Sequence, residues 1–319
     1  MSSDLGDLTI DSEGGLWWRD GADEPRRLTD TGVVQVATDS STAAYRTTAG
    51  AVLVWGDSSA GQSGQVLDLP VADPRRVIDA GGDPLGDVVD VAVDGRTLAA
   101  VTGAGTVLVW GDGRSGQLGP GRDPVAGAAP APVLAADGRP LTDVVDVAVG
   151  GQHVLALTAD GRVLSWGSDS HGQLGRVGGQ DRDGDAVPRQ VPLPGTVTGV
   201  AANELDSYAT LADGTVMAWG NAESGQTGTD AVDTVLAVPQ QVVGAEDVEC
   251  VVAGEAFAAA LTFDGRVLTW GAGGAGQLAA ADERQRRTAG LALGDDAAPV
   301  TGVAWLGSGG RVLFAGVTG

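Results

Sequence analysis

A single tryptophan-glycine element recurs along this chain at a spacing that leaves little freedom in how it folds. Trp55, Trp110, Trp166, Trp219 and Trp270 each end a short apolar run, are followed by Gly, and precede a Gly-Gln pair carrying Gln62, Gln117, Gln173, Gln226 or Gln277. The copies read "VLVWGDSSAGQSG", "VLVWGDGRSGQLG", "VLSWGSDSHGQLG", "VMAWGNAESGQTG" and "VLTWGAGGAGQLA". Successive tryptophans are 55, 56, 53 and 51 residues apart. A fixed period with loop-sized variation marks a repeat array, in which each unit is one supersecondary element that covers its neighbours.

Upstream of Trp166 the alignment runs without a gap from Val147, and "VAVGGQHVLALTADGRVLSW" matches the corresponding stretches before Trp55, Trp110, Trp219 and Trp270. Each unit reads as four strands. The first is a V-x-x-V run starting at Val33, Val88, Val144, Val197, Val248 and Val300, with small residues suited to a crowded inner strand. The second alternates, as in "HVLALT", and an Asp-Gly pair closes a tight hairpin because Gly tolerates positive φ. In the third, "RVLSW", Leu164 and Trp166 point to one face and Val163 to the other. Both faces then need cover, which blades stacked on blades supply. The indole is expected to fill the wide gap between twisted sheets and to satisfy a nearby carbonyl through its N–H. The Gln side-chain amide is expected to bridge backbone groups between blades.

These units resemble the regulator of chromosome condensation repeat family, whose hallmark is a strand ending W-G followed by G-Q-L-G. That resemblance implies an all-β fold, a β-propeller of four-stranded blades. Six V-x-x-V runs meet six third strands, the first of these ending at Trp18 in "GGLWWRDG", so six blades are expected. Closure would come from pairing of the strands in 300–319 with the N-terminal ones, which also protects sheet edges; two separate partial end blades would make seven. No linker divides the chain, so residues 1–319 read as one propeller domain.

Composition narrows the function. Asp and Glu number 42 against 19 basic residues, all of them Arg, for a net charge of -23. Such a surface opposes binding to phosphate backbones, which requires clustered cations; the absence of Lys and the excess of Asp point to a prokaryotic source. No apolar run reaches transmembrane length and the start has no secretory pattern, so a complete chain of this kind is expected in the cytoplasm, off the membrane. The single cysteine, Cys250, permits no internal disulfide and no multi-cysteine metal site.

Chemistry-bearing candidates are few. His153 opens a second strand and His171 lies in the loop after Trp166, too little for a metal or a catalytic set. Asp181, Asp183 and Asp185 alternate in "DRDGDAV" in the manner of a calcium loop, but Gly184 is misplaced and Pro192 stands where an EF-hand has Glu, so a hydrated acidic loop competes with a metal site. Cys250, in an inner-strand run, reads as a packed or channel-facing thiol. No nucleophile elbow, P-loop, dinucleotide fingerprint or zinc spacing occurs, and neither enzyme activity nor a cofactor is expected. The loops after each Trp vary on a constant frame, as a binding face would. Their candidate contact residues are Asp57, Ser58, Asp112, Arg114, Asp169, His171, Asn221 and Glu223.

The expected function is therefore a non-catalytic interaction scaffold whose acidic loop faces dock another protein with a basic surface. The resemblance implies two alternatives: a guanine-nucleotide exchange regulator of a small GTPase, since the founding family member promotes exchange and docks on chromatin, and an enzyme-inhibitory propeller. A calcium-assisted hydrolase would follow only if the aspartate loop held the metal.

Overall fold

The computed structural model describes residues 7–10, 14–19, 24–29, 32–39, 41–65, 70–122, 128–177, 184–280, 284–294, 296–309 and 312–317, and among these every regular element is a strand. Five complete four-stranded antiparallel blades follow one another. Their inner strands are Val33–Thr38, Val88–Asp94, Val144–Val149, Val197–Ala202 and Val248–Gly254. Their third strands end on the repeated Trp-Gly, at Val52–Gly56, Val107–Gly111, Val163–Gly167, Val216–Asn221 and Val267–Ala272. A sixth inner strand, Val303–Gly309, pairs with Val312–Val317. The six inner strands touch in sequence, and the last comes back against the first, so they form a ring.

Every inner strand carries a bulge at the same place, between Val88 and Asp90 for example and between Val248 and Cys250. The bulge leaves the intervening residue unpaired and increases local twist. In the last strand it falls between Val303 and Trp305, so the inner strand starts at Val303 and not at Val300. "VTGVA" at 197–201 and at 300–304 is one string in two roles. Pro299 makes the isolated bridge to Leu293 that Pro84 makes to Ile78 and Pro140 to Leu134. Val300 therefore matches Leu85 and Leu141 of the connecting loop.

The ends also depart from the expected closure. Asp7–Ile10 pairs with Leu16–Arg19, which pairs in turn with Arg26–Arg27. Both edges of the strand bearing Trp18 are thus occupied, and among the described residues the C-terminal pair forms its own two-stranded sheet. The N-terminal sheet docks on the first blade through buried Leu16 against Val33 and Tyr45, and through an edge-to-face contact of Trp18 with Trp55.

The core is a series of slabs between blades. Trp166 packs with Val101, Val109 and Val147 between the second and third blades, while Val163 packs with Val191, Val197 and Trp219 between the third and fourth. The two faces of one strand thereby cement two different seams, as the alternation predicts. Each of the four seams between complete blades is also tied by a relay: Trp110 Nε1 donates to the Gln62 carbonyl, Trp166 to Gln117, Trp219 to Gln173 and Trp270 to Gln226, all at 2.8 Å. Trp55 has no preceding Gly-Gln loop and uses the Ala72 carbonyl of its own blade at 3.0 Å. The Gln side chains stay local. Each Oε1 accepts the backbone N–H two residues earlier, from Ala60, Ser115, His171, Ser224 and Ala275. Cross-blade bonding thus runs through the Gln main chain, because the side chain is spent on closing its own turn.

In the third and fourth copies the last glycine of the motif lies under the next tryptophan. Gly175 has φ +70°, and a Cβ there would stand 2.6 Å from Trp219 Nε1; at Gly228 it would stand 2.8 Å from Trp270 Cδ1. Gly175→Ala is expected to cost about 2–4 kcal/mol, from left-handed strain and overpacking together. Gly121→Ala, at φ +72° with nothing within 4 Å of the added carbon, supplies the control and isolates the strain alone. Equal midpoints for the two variants in denaturant titrations would show that the contact with Trp219 is unimportant.

A polar stitch joins the inner strands. Gln35 Nε2 donates to Asp90 Oδ1 at 2.6 Å, Asp90 Oδ2 accepts from Val147 N–H at 2.9 Å, and Asp146 Oδ2 accepts from Val200 N–H at 3.1 Å. Each side chain reaches the next blade, so strands more than 50 residues apart are linked through carboxyl groups near the axis of the ring.

Candidate binding face

Two sets of loops share one end of the ring. One set joins inner to second strands; the other follows each Trp-Gly. They are fastened together by one backbone bond per blade: Asp57 N–H to Ser41 O, Asp112 to Arg96, Ser168 to Gln152, Asn221 to Leu205 and Ala272 to Ala256, at 2.8–3.1 Å. Strand alternation dictates this, since the chain returns to the same end every second strand.

Within the Trp-Gly loops the recurring frame is made by short polar side chains that bond the backbone just ahead, as Asx turns do. Asp57 Oδ1 accepts from Ser59 N–H, Asp112 Oδ1 from Arg114, Asn221 Oδ1 from Glu223 and Ser168 Oγ from Ser170, each two residues on, while Asp169 Oδ1 reaches the Leu174 N–H five residues on. Burial works to raise the Asp57 carboxyl, but the Ser59 and Gln62 donors and the Arg96 guanidinium together hold it below its usual value. Ser58 does not face a partner: it is fully buried, bonded to Ser63 Oγ and the Gln65 carbonyl. The exposed tips are Ser59, Arg114, Ser170, Glu223 and, in the fifth loop, Gly274 to Gly276.

Inside this rim the ring opens into a funnel of about 940 Å³. Its wall comes from the inner strands and is made of small apolar side chains, including Ala37, Ala92, Ala148, Val200 and Val252. Its mouth is lined by Asp39, Asp94, Glu204 and Glu255, one from each of four blades, with Arg96, Ser170 and His171 beside them. Burial pushes the Asp94 carboxyl up to about 8, and Asp39, Glu204 and Glu255 add to the push. Asp39 Oδ1 also caps its own turn, taking N–H bonds from Ser41 and Thr42. Arg96 is already engaged at the mouth, with Nε 3.7 Å from Asp57 Oδ2 and Nη2 2.8 Å from Ser59 Oγ.

The sequence candidates do not include the four mouth carboxylates. A signal for them is present: an acidic residue stands just ahead of the second strand in four of the five units. Loop variation draws attention to the outer ring, while the inner ring needs the fold.

The remaining candidates fall elsewhere. His153 is fully buried, and Nε2 lies 2.8 Å from Ser207 Oγ, which donates to the Gln173 carbonyl. His153 Nε2 is therefore the protonated nitrogen, and burial pulls the imidazole down to about 3. This pair joins two blades and is closed to a substrate. Burial, followed by the Glu249 charge, raises the Cys250 thiol, opposite to the activation a nucleophile requires. Asp181 and Asp183 lie outside the described residues. Asp185 accepts from Arg189 Nε at 2.6 Å and from the Val187 backbone at 2.9 Å. Among the described residues no three His, Cys, Asp or Glu side chains are placed to hold a metal ion.

Comparison with known proteins matches residues 18–315 to the model of the RCC1-like domain. The human E3 ubiquitin-protein ligase HERC2 is 34% identical over 238 residues, 72% of this chain and 5% of that protein. The bovine secretion-regulating guanine nucleotide exchange factor is 33% identical over 242 residues, 73% of this chain and 50% of that protein. The chain thus spans half or less of the length of these relatives. Among solved structures, Prp20p of Saccharomyces cerevisiae, described with its binding properties to Gsp1p and histones, superposes with a TM-score of 0.73. It is 19% identical, and the match covers 95% of this chain and 78% of that one.

Proposed function

Since this chain belongs to the RCC1-like domain family, we propose that it is a non-catalytic regulatory propeller that binds a partner protein through its funnel-bearing loop face, and that the partner meets it with a basic surface. The observation that carries this reading is the convergence of Asp39, Asp94, Glu204 and Glu255 on one mouth. Burial and the neighbouring Asp39, Glu204 and Glu255 disfavour charge on Asp94, and a cationic partner relieves that repulsion. With a net charge of -23, long-range steering also favours basic proteins and disfavours nucleic acid.

The test is capture of partner proteins from source-cell extract by the wild-type chain and by the double variant Glu204→Gln with Glu255→Gln. A stoichiometric partner held at about 0.05 M salt, released near 0.5 M, and lost at least tenfold with the double variant is expected. A partner held equally by both proteins at both salts would remove the acidic mouth from the function.

A second reading, an exchange regulator of a small GTPase, rests on the similarity to the bovine exchange factor. Its signature would be accelerated nucleotide release from a GTPase captured in the same experiment; unchanged release would discard it.

A further inference from the structure

The funnel differs from a flat acidic patch in having depth and an apolar wall. Resting on the reading above, we propose that it receives an extended segment of the partner whose aliphatic tip enters the funnel while arginines on either side of the tip pair with the mouth carboxylates. The wall presents methyl and isopropyl groups from Ala37, Ala92, Val200 and Val252. Such side chains have no polar group to offer a guanidinium and gain by covering aliphatic carbon. At about 940 Å³ the space lies in the range of clefts that enclose a small ligand, so it admits the tip of a segment and excludes a folded domain.

The mouth selects what flanks the tip. Asp39, Asp94, Glu204 and Glu255 come from four different blades and stand around the opening, so cations on both sides of an inserted tip find carboxylates. Arginine fits better than lysine because its planar fork bonds a carboxylate through two N–H groups and is less strongly hydrated. One guanidinium already stands at the mouth: Arg96 Nε lies 3.7 Å from Asp57 Oδ2 and its Nη2 donates to Ser59 Oγ. Pairing would also lower the Asp94 carboxyl from its raised value and release the proton held there.

Calorimetry with two hexapeptides tests this on the wild-type chain. RRLLRR is expected to bind with one-to-one stoichiometry and at least tenfold more tightly than RRSSRR, which carries the same charge without an apolar tip. The Asp94→Asn, Glu204→Gln double variant is expected to weaken RRLLRR at least tenfold. A larger side chain on the wall narrows the funnel, so Ala92→Leu is expected to weaken RRLLRR and leave RRSSRR unchanged. Equal binding of the two peptides would overturn the funnel proposal while leaving an acidic docking face intact. Failure of both peptides, together with failure of a folded basic protein such as cytochrome c, would overturn the docking face as well.

Discussion

Trp219→Ala is expected to remove about 3–5 kcal/mol of stability, the usual cost of truncating a buried aromatic in a core that cannot close over the gap. Trp219 has no solvent exposure and packs among Leu155, Leu157, Val163, Val197 and Leu211, side chains of two blades that rigid strands hold apart. Against a typical total of about 5–15 kcal/mol, that loss is a large fraction. Far-UV circular dichroism during urea titration reports it as a lowered midpoint. Phenylalanine variants separate the two contributions of the indole. Trp219→Phe leaves the Gln173 carbonyl with the Ser207 hydroxyl as a donor at 2.9 Å, whereas Trp166→Phe takes the indole N–H from Gln117. Trp166→Phe is therefore expected to be the costlier of the two by about 1 kcal/mol or more, as a buried acceptor left without its donor costs about 1–3 kcal/mol. Equal losses would mean that the indole relay contributes packing alone.

Asp146→Asn is expected to stabilise the protein, and increasingly so as pH rises from about 4 to about 7. Burial first, and the adjacent Asp90 carboxylate second, hold the Asp146 carboxyl up to about 7. Below the ordinary carboxyl value both folded and unfolded chains carry this proton. Between that value and about 7 the folded chain keeps it and the unfolded chain loses it, so rising pH favours unfolding by up to about 1.4 kcal/mol per pH unit. Above about 7 the penalty is complete and flat. Asparagine removes it while its Oδ1 can still accept from Val200 N–H and its Nδ2 can donate to Asp90. Buried groups remote from this pair titrate alike in both proteins and cancel from the difference; His153, held down to about 3 by burial, acts in the opposite sense in each. The check is the difference in urea-derived stability between variant and wild type at several pH values. A difference that does not change with pH, or a variant less stable at pH 8, would refute the account.

How far the chain can be read in advance follows from the range of the interactions involved. The hairpin of "TADGR" and the opposite facing of Val163 and Trp166 depend on a few consecutive residues, and the structure has both. The repeat alignment misplaces Val300 because "VTGVA" looks like an inner strand wherever it occurs, while its role depends on Pro299 bridging Leu293. Ser58 reads as an exposed loop hydroxyl because polarity is the only local cue; Ser63 and Gln65 draw it inside. The strand Asp7–Ile10 has no counterpart in the repeat alignment, yet it occupies the edge reserved for the C-terminal strands.

By itself the sequence determined the repeat, the all-β propeller architecture and the two-faced use of each strand, because a period near 50 residues and an alternation of two are written along the chain. Only the tertiary structure decided which groups meet across the ring. It set the Gln carbonyl rather than the Gln amide against the next indole, Asp90 against Asp146, and four acidic side chains around one funnel. The physical reason is distance in sequence: these partners lie about one repeat or more apart, and their separation in space is fixed by the twist and radius of the ring, which no single repeat encodes.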